Sequence, residues 1–327
     1  MLILGIESSC DETAVALVED GRHVIAHAIA SSADIHRLYG GVFPELACRR
    51  HSEVIFPLIN KVIEQGRIPD AIAVANSPGL IGALLIGLQT AKGLSIAWNK
   101  PLIGVNHVEA HLYASMMEED PLFPALGFVL SGGHTLMMKI SGIGSYELLG
   151  STVDDAIGEA FDKTATLLGL SYPGGPELER LAEKGDPDKV RFSSSVVKKN
   201  SLAFSFSGLK TAVLYALKTA EAHDLAASFQ KAACQEIIKK ARLALKTTPC
   251  RSIIFGGGVC CNRFLRKSFS EAFSDFSLFW PPEGLSQDNA IMIAGLAYHQ
   301  FLKKGADSLN LEALPKNEKN RYNPFKH

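Results

Sequence analysis

The histidine pair His107 and His111 is the feature of this sequence best suited to chemistry. The two residues are four positions apart in a stretch with a helical pattern, so their imidazoles lie on one face about one turn apart. Two neutral imidazoles so placed can begin a metal site, and hydrogen-bonded histidines without a metal are the alternative. In a zinc protease helix a glutamate directly follows the first histidine, whereas Glu109 comes two positions after it and points away at about 100° per residue. The pair alone leaves both interpretations open, but it lacks the general base of a protease.

A carboxylate far along the chain could complete this site. Asp288 begins a helical run that extends to about Phe301. Its side chain could serve only as the N-cap of that helix, or it could be a third metal ligand. Two histidines and one carboxylate leave open coordination positions and suit iron or zinc.

Two polar turns, each between two apolar strand-like runs, could bind phosphate groups. A turn such as Ser131-Gly132-Gly133 lets backbone amides approach an anion closely, and two such turns can clamp a nucleotide, although either could be an ordinary turn. Gly256–Gly258 also follows a strand-like run, at the position where open α/β sheets bind ligands, but without the spacing of a dinucleotide or Walker-type loop. The two patterns are Leu2–Ile6, Glu7–Glu12, Thr13–Val18 and Ala125–Leu130, Ser131–Thr135, Leu136–Ile140.

The elements around these turns predict an α/β protein with two similar lobes. Strand-like runs alternate with helical patterns, which favours a mostly parallel sheet covered on both sides. Because strand, polar turn and strand occur twice, we expect a lobe at residues 1–120, a second at 121–315 and a basic, flexible tail at 316–327. The main predicted helices are Glu45–Glu64, Ile81–Trp98 and Leu225–Lys246, and further strands are His23–Ala28, Ala71–Ala75, Leu102–Val105 and Ser252–Phe255.

Composition limits the class of protein. The chain has 327 residues, of which 47% are hydrophobic and 20% charged, with six cysteines in no disulfide or zinc pattern. Because Gly, Gln and Lys interrupt the apolar stretch Leu80–Trp98, we expect no membrane span, and we expect no signal peptide and a cytoplasmic location. The net charge of −1 provides no overall attraction for nucleic acid. A local patch in the tail, or else only a solvated terminus, is formed by Lys316, Lys319, Arg321 and Lys326.

A series of segments along almost the whole chain matches one enzyme family. They are Gly5–Thr13, Tyr39–Ala47, Pro78–Leu80, His107–His111, Leu130–Thr135, Gly158–Ala165, Tyr172–Gly175, Phe204–Lys210, Gly256–Val259 and Asp288–Ala290. In these motifs the chain resembles the universal tRNA threonylcarbamoyladenosine transferases, within the actin, Hsp70 and sugar kinase (ASKHA) superfamily. The resemblance implies two RNase H-like lobes with a nucleotide cleft between them.

The resemblance also implies roles for individual residues. His107, His111 and Asp288 would hold one divalent metal ion per subunit, with Fe²⁺ as the first choice and Zn²⁺ as the second. Asp11 and Glu12 are candidate catalytic residues that could accept a proton or orient the threonyl part, or could instead hydrogen-bond to the amides of their own turn. The implied substrate-binding residues are Val129, Leu130, Ser131, Gly132, Gly133, Asp162, Gly175, Glu179 and Asn262.

Two of these assignments have qualifications of their own. Asp162 could instead be an exposed helical residue paired to a neighbour. Glu179 stands where many relatives have aspartate, and its longer side chain can still reach a hydroxyl group.

The implied reaction is transfer of threonylcarbamoyl from threonylcarbamoyl-AMP to the N6 amine of the adenosine 3′ of the anticodon in tRNAs that read ANN codons. The cleft would hold threonylcarbamoyl-AMP, or ATP or AMP. The implied partners are tRNA, a TsaB-like paralogous subunit without catalytic activity and a TsaE-like small ATPase. Two alternatives use the same turns for ATP: a small-metabolite kinase of this superfamily, and a non-catalytic nucleotide switch like actin or Hsp70.

Overall fold

The computed structural model describes residues 1–32, 42–63, 67–192 and 201–315. Part of the Tyr39–Ala47 motif and the predicted tail at 316–327 lie outside the described residues. The chain forms two compact units, the first of Met1–Asp120 together with the chain from Pro281 onward, and the second of Pro121–Trp280.

The strands and helices follow the predicted alternation. The strands are β1 (Leu2–Glu7), β2 (Thr13–Glu19), β3 (His23–Ala30), β4 (Ala71–Ser77), β5 (Leu102–Asn106), β6 (Ala125–Leu130), β7 (Thr135–Gly142), β8 (Ser145–Ser151), β9 (Ser252–Gly256) and β10 (Ser277–Phe279). The helices are α1 (Pro44–Ile63), α2 (Ile81–Trp98), α3 (His107–Ala114), α4 (Ile157–Leu167), α5 (Gly174–Ala182), α6 (Ser207–Ala216), α7 (Ala222–Thr247), α8 (Arg263–Ala272) and α9 (Ala290–Lys304). A short 3₁₀ helix covers Gly258–Cys261.

The two sheets have the same topology, which confirms the predicted internal repeat. In the first unit the strand order is β3-β2-β1-β4-β5, and in the second it is β8-β7-β6-β9-β10. Each sheet begins as an antiparallel meander of three strands and continues with two parallel strands. The prediction of a mostly parallel sheet was therefore only half right, because short hairpin turns force the first three strands of each unit to be antiparallel.

The second unit ends earlier in the chain than predicted. The expected C-terminal lobe extended to residue 315, but the chain returns to the first unit at Pro281. The reason is the packing of α9 on β1: Gly5 has no side chain, and a Cβ placed there would lie only 2.4 Å from the Ala290 carbonyl oxygen. Beyond α9, Asp307 accepts a hydrogen bond from the Gly104 amide at 2.8 Å. Asp288 is therefore in the same unit as the two histidines.

Helix α2 is, by length and composition alone, apolar enough to cross a membrane. In the first unit it packs against β4 and α1. Its buried residues Ala83, Leu84, Leu88 and Ala91 recur at helical spacing and form one face. A third of the helix is buried in this way, and Ile81, Leu85 and Ile96 are exposed on its other sides.

The core of the second unit is built on aromatic side chains between its sheet and its helices. Phe128 on β6 stacks on Phe255 of β9, with ring centroids 5.7 Å apart, and Phe269 of α8 packs edge-on against both rings. On the other helices, Phe161 of α4 meets Phe229 of α7 at 5.2 Å. This packing fixes α4 and α8, which carry several of the predicted site residues.

Candidate metal centre and substrate turns

The first polar turn is held in place by Glu7 at its start and by the Pro78–Leu80 segment. Glu7, the last residue of β1, is completely buried, and its Oε1 accepts a hydrogen bond from the Ser9 amide at 2.5 Å. The Ser9 carbonyl accepts the Leu80 amide at 2.8 Å, and a Cβ on Gly79 would lie 2.4 Å from that same carbonyl oxygen. The Pro78–Leu80 motif is therefore a close-packed support for the turn.

His107 begins α3 because the preceding residue caps the helix. The side chain of Asn106 accepts hydrogen bonds from the amides of Val108 at 2.9 Å and Glu109 at 3.2 Å. Both histidines are buried, and their ring centroids lie 4.5 Å apart. This confirms the predicted placement of the two imidazoles on one helix face.

Asp288 joins the histidines, whereas the neighbouring Asn289 caps the helix. The Asn289 side chain accepts the Met292 amide at 2.9 Å, so the alternative that Asp288 is the N-cap of α9 is wrong. The Asp288 Oδ1 lies 3.1 Å from the His111 Nε2 and 3.5 Å from the His107 Nε2. One donor atom from each residue falls within 4.8 Å of the others.

The chemistry of these donors fits a divalent cation. Burial lowers the pKa of His107, but the carboxylates of Glu7 and Asp288 outweigh it and raise that pKa to about 9. Burial and the neighbouring His107 lower the pKa of His111. The buried Glu7 and the partly buried Asp288 thus place two carboxylates beside the imidazoles, and a divalent ion would compensate their negative charge. Two imidazoles and a carboxylate are a donor set that suits iron and zinc.

Glu109 takes no part in this cluster. Its carboxylate is buried, and neither of its oxygens has a hydrogen-bond partner among the described residues. Burial raises the pKa of Glu109 to about 7, although Lys304 and Lys303 of α9 lower it. The protease interpretation fails, as predicted, because this carboxylate is on a different side of the helix from the ligand atoms.

Glu12, at the end of the first turn, has a raised pKa. Burial is the largest cause that raises its pKa to about 7; a hydrogen bond from Ser31 opposes this, while the charges of Asp288, Asp11 and Glu7 add to it. Its Oε2 is buried and has no hydrogen-bond partner in the described part of the chain. Asp11 is half-buried in the same turn.

The second turn, Ser131–Thr135, holds the start of α4. The Ser131 carbonyl accepts the Gly158 amide at 3.2 Å, and the Thr135 hydroxyl accepts the Ile157 amide at 2.8 Å. Within the turn, the Ser131 hydroxyl accepts the His134 amide at 3.0 Å. The positive end of the α4 dipole therefore lies against the glycines of the turn, which favours an anion there.

The strand pairing brings Val129 and Leu130 beside the triple glycine. Val129 on β6 is opposite Gly256 on β9. Gly257 has a φ of 96°, and a Cβ on it would lie 2.4 Å from the Leu130 carbonyl oxygen. Only glycine allows the backbone at residue 257 to come this close to Leu130. The turn that follows Leu130 and the triple glycine, both predicted to bind phosphate, therefore lie next to each other.

Asp162 lies one turn beyond Gly158 on α4 and joins the second turn to the start of α5. Its Oδ1 accepts the amides of Gly174 at 2.8 Å and Gly175 at 3.2 Å. Burial raises the pKa of Asp162, and these two hydrogen bonds lower it. Since residues four apart share a helix face, Asp162 is on the same face of α4 as Gly158, which packs against Gly132.

Glu179 and Asn262 meet at the start of α8. The Glu179 Oε1 accepts the Arg263 amide at 2.7 Å. The Asn262 Oδ1 accepts the Leu265 amide at 2.8 Å as the N-cap, and its Nδ2 donates to Gln230 Oε1 at 2.8 Å. Asn262 therefore caps α8, and both side chains bind the protein's own groups.

The sequence interpretation missed two buried residues that support the first turn. Glu7 contacts His107, and His51 of α1 contacts Thr13 Oγ1 at 2.8 Å and the Cys10 carbonyl oxygen at 3.0 Å. A carboxylate that ends an apolar strand was a signal for the first. For the second, the signal was a histidine at helical spacing from the apolar Val54 and Leu58.

The comparisons with known proteins agree with this architecture. HypF from T. kodakarensis has a TM-score of 0.64 at 17% identity, over 92% of this chain and 47% of that chain, so this chain spans about half of the HypF length. A ROK hexokinase from Thermus thermophilus has a TM-score of 0.53 at 14% identity, over 93% of this chain and 99% of that one. These similarities show that the chain shares its α/β fold with both structures.

The sequence comparisons are more specific. The family model TsaD, described as tRNA N6-adenosine threonylcarbamoyltransferase, matches residues 23–295. A relative of that name from Protochlamydia amoebophila is 55% identical over 96% of this chain and 97% of its own length. The chain therefore belongs to the tRNA N6-adenosine threonylcarbamoyltransferase family.

Proposed function

We propose that this chain transfers the threonylcarbamoyl group from threonylcarbamoyl-AMP to the N6 amine of the adenosine 3′ of the anticodon in tRNAs that read ANN codons. The observation that carries the proposal is the 55% identity with a relative named for this transfer, over nearly the full length of both chains. In the step, the amine nitrogen forms a bond to the carbamoyl carbon, and the bond from that carbon to the phosphate oxygen breaks. AMP leaves with the electron pair, and the amine loses one proton.

His107, His111 and Asp288 would hold one divalent ion, Fe²⁺ or alternatively Zn²⁺. The proposal is supported by the convergence of their donor atoms within 4.8 Å and by the two carboxylates that face the imidazoles. When bound, such an ion supplies Lewis-acid chemistry that neutralises phosphate charge and polarises a carbonyl group.

The second turn would bind the phosphate of the adenylate. The amides of Gly132 and Gly133 are next to the start of α4, where the helix dipole favours an anion. Loss of one preorganised contact of this kind typically costs about 3 to 4 kcal/mol of activation free energy. Because the adenylate is already activated, we expect positioning to dominate the catalysis.

Glu12 would accept the proton that the amine loses. A carboxylate with a pKa of about 7 is well matched to proton transfer near neutral pH. Asp11, in the same turn, would orient the threonyl part. The remaining predicted substrate residues, Asp162, Gly175, Glu179 and Asn262, would shape the adenylate site through the starts of α5 and α8.

The target adenosine lies in a single-stranded loop, where an unstacked base can enter a pocket. The net charge of −1 gives this chain no general attraction for RNA. The proposal therefore includes a paralogous subunit and a small ATPase as partners that support tRNA binding and turnover, and a cytoplasmic location.

A transfer assay tests this proposal. The chain with its partner subunits is incubated with threonylcarbamoyl-AMP and unmodified tRNA, and the nucleosides are examined by mass spectrometry. We expect N6-threonylcarbamoyladenosine and AMP in equal amounts, and no product with a tRNA that has guanosine after the anticodon. Absence of the product from the wild type would refute the transferase proposal.

The same samples separate the alternatives. A small-metabolite kinase would consume ATP and phosphorylate a metabolite, and a nucleotide switch would hydrolyse ATP slowly with no tRNA product. A His111→Ala variant should lose both metal and transfer activity, whereas His23→Ala, on the exposed part of β3, should retain both. Full activity and metal content in His111→Ala would refute the metal assignment.

A further inference from the structure

Glu7 is completely buried and has none of the roles that the family resemblance implies for the site residues. It ends β1 opposite Ala14 of β2, at the carboxyl end of a strand whose residues are all buried. Among the described residues no lysine or arginine forms an ion pair with it, and its ion-pair partner is His107. A buried carboxylate with no lysine or arginine partner needs strong hydrogen bonds and a compensating positive charge from another group nearby.

Each oxygen of Glu7 has its own donor. Oε1 accepts the Ser9 amide at 2.5 Å, and Oε2 accepts the Nδ1 hydrogen of His107 at 2.9 Å. The two hydrogen bonds together fix the plane of the carboxylate. The Ser9 amide can only donate, so Oε1 must accept. With the hydrogen on Nδ1, the lone pair of a neutral His107 ring is on Nε2, the atom 3.5 Å from Asp288.

The second histidine has no such partner. The Nδ1 of His111 is buried and has no hydrogen-bond partner within the described ranges. Its Nε2 is positioned 3.1 Å from Asp288. Of the two histidines, only His107 has a carboxylate hydrogen-bonded to Nδ1, the ring nitrogen on the far side from Asp288.

We infer that Glu7 is a positioning residue that selects the His107 tautomer able to bind a metal and supplies negative charge behind that ligand. A carboxylate that accepts the far N–H of a ligating histidine fixes the ring and makes it a stronger donor. The inference rests on the proposed metal centre and adds to it a residue that does not touch the ion.

Glu7→Gln tests this role with almost no change of shape. The Ser9 amide requires the glutamine oxygen, which leaves the glutamine NH₂ group facing His107 Nδ1. His107 Nδ1 must then accept a hydrogen bond from this NH₂ group, so the ring hydrogen moves to Nε2. A hydrogen on Nε2 prevents that atom from binding a metal ion. We expect the dissociation constant for Co²⁺, measured from its visible absorption in the chelated and reloaded protein, to rise about 10- to 100-fold.

Glu109→Gln is the matched control. It also removes a buried carboxylate, from the same helix as the ligands, but one that bonds to neither imidazole. We expect its Co²⁺ affinity to stay within about threefold of the wild type. An unchanged affinity in Glu7→Gln, or an equal loss in both variants, would overturn the inference.

If Glu7→Gln does not fold, Glu7→Asp replaces it. Aspartate keeps the charge but is one methylene too short to reach both Ser9 and His107, so we expect at least about a tenfold loss of Co²⁺ affinity. Wild-type affinity in that variant would again overturn the inference. Independently, ¹⁵N spectra of the Zn²⁺-loaded wild type should show His107 with its hydrogen on Nδ1.

These readouts separate the inference from the proposed function. If the wild type binds Co²⁺ as tightly as Asp288→Ala does, the metal centre itself is wrong and the inference fails with it. If the wild type binds metal and the Glu7 variants behave as expected, the inference stands whether or not the transfer assay gives a product.

Discussion

Gly158 of α4 lies directly against Gly132 of the second turn. A Cβ placed on Gly158 would be 2.8 Å from both the Cα and the nitrogen of Gly132, and 2.8 Å from the Ser131 carbonyl oxygen. All three are backbone atoms, so a side chain there must displace the turn. The turn and the start of α4 are therefore packed backbone to backbone, with no room for a side chain between them.

Gly158→Ala should weaken adenylate binding through the displaced turn. We expect KM for threonylcarbamoyl-AMP to rise at least about tenfold, because misplaced catalytic donors lose most of their effect. Gly208→Ala is the control, since a Cβ at Gly208 meets no atom within 4 Å. Steady-state kinetics at fixed tRNA concentration measure the effect, and an unchanged KM in Gly158→Ala would contradict the proposed adenylate site.

Asn262 should contribute to the stability of the second unit. Asn262→Ala removes the N-cap of α8 and leaves the Gln230 Oε1 without its donor. We expect a loss of about 1 to 3 kcal/mol in the free energy of unfolding, measured by urea denaturation. Asn262→Ser keeps a capping oxygen and should recover part of this loss. Equal stability of Asn262→Ala and the wild type would show that the capping geometry is unimportant.

The repeat of strand, polar turn and strand was predictable because it depends on local patterns. Glycine and polar residues between alternating apolar runs specify the hairpins β1–β2 and β6–β7. The two-histidine face of α3 was predictable for the same reason. These features depend on residues close together in the sequence.

The features that sequence reasoning missed are long-range. The return of α9 to β1 depends on Gly5 and Ala290, which are far apart in the chain. Whether Asp288 or Asn289 caps α9 depends on the position of His111, because both residue types cap helices well. The role of Glu7 likewise requires knowledge of what lies behind His107.

The stability of the first unit should depend on pH through Glu109. Its pKa is about 7 in the folded protein, against an ordinary 4.5, so the folded state binds this proton more tightly than the unfolded state. Below about pH 4.5 the group is protonated in both states, and above about pH 7 the folded protein bears the full cost of a buried charge, up to about 3 kcal/mol.

Glu109→Gln should therefore match the wild type near pH 5 and be more stable near pH 8. Urea unfolding of the metal-free proteins at both pH values measures the difference. Glu118→Gln, at an exposed position, is the control. A difference between Glu109→Gln and the wild type that does not change with pH would contradict the assignment.

The rate of transfer should depend on pH through Glu12. Burial and the nearby carboxylates raise its pKa to about 7, and only the ionised form can accept the proton of the amine. The rate should therefore rise as pH increases from about 6 to 8 and then level off.

Glu12→Gln should lower kcat by about 10²- to 10⁴-fold and remove this rise, because the amide cannot take up a proton. Glu53→Gln, on the exposed side of α1, should keep the wild-type profile. The measurement is single-turnover formation of the modified adenosine across the pH range, with tRNA and adenylate saturating. A Glu12→Gln profile that still rises through pH 7 would assign the proton to a different acceptor.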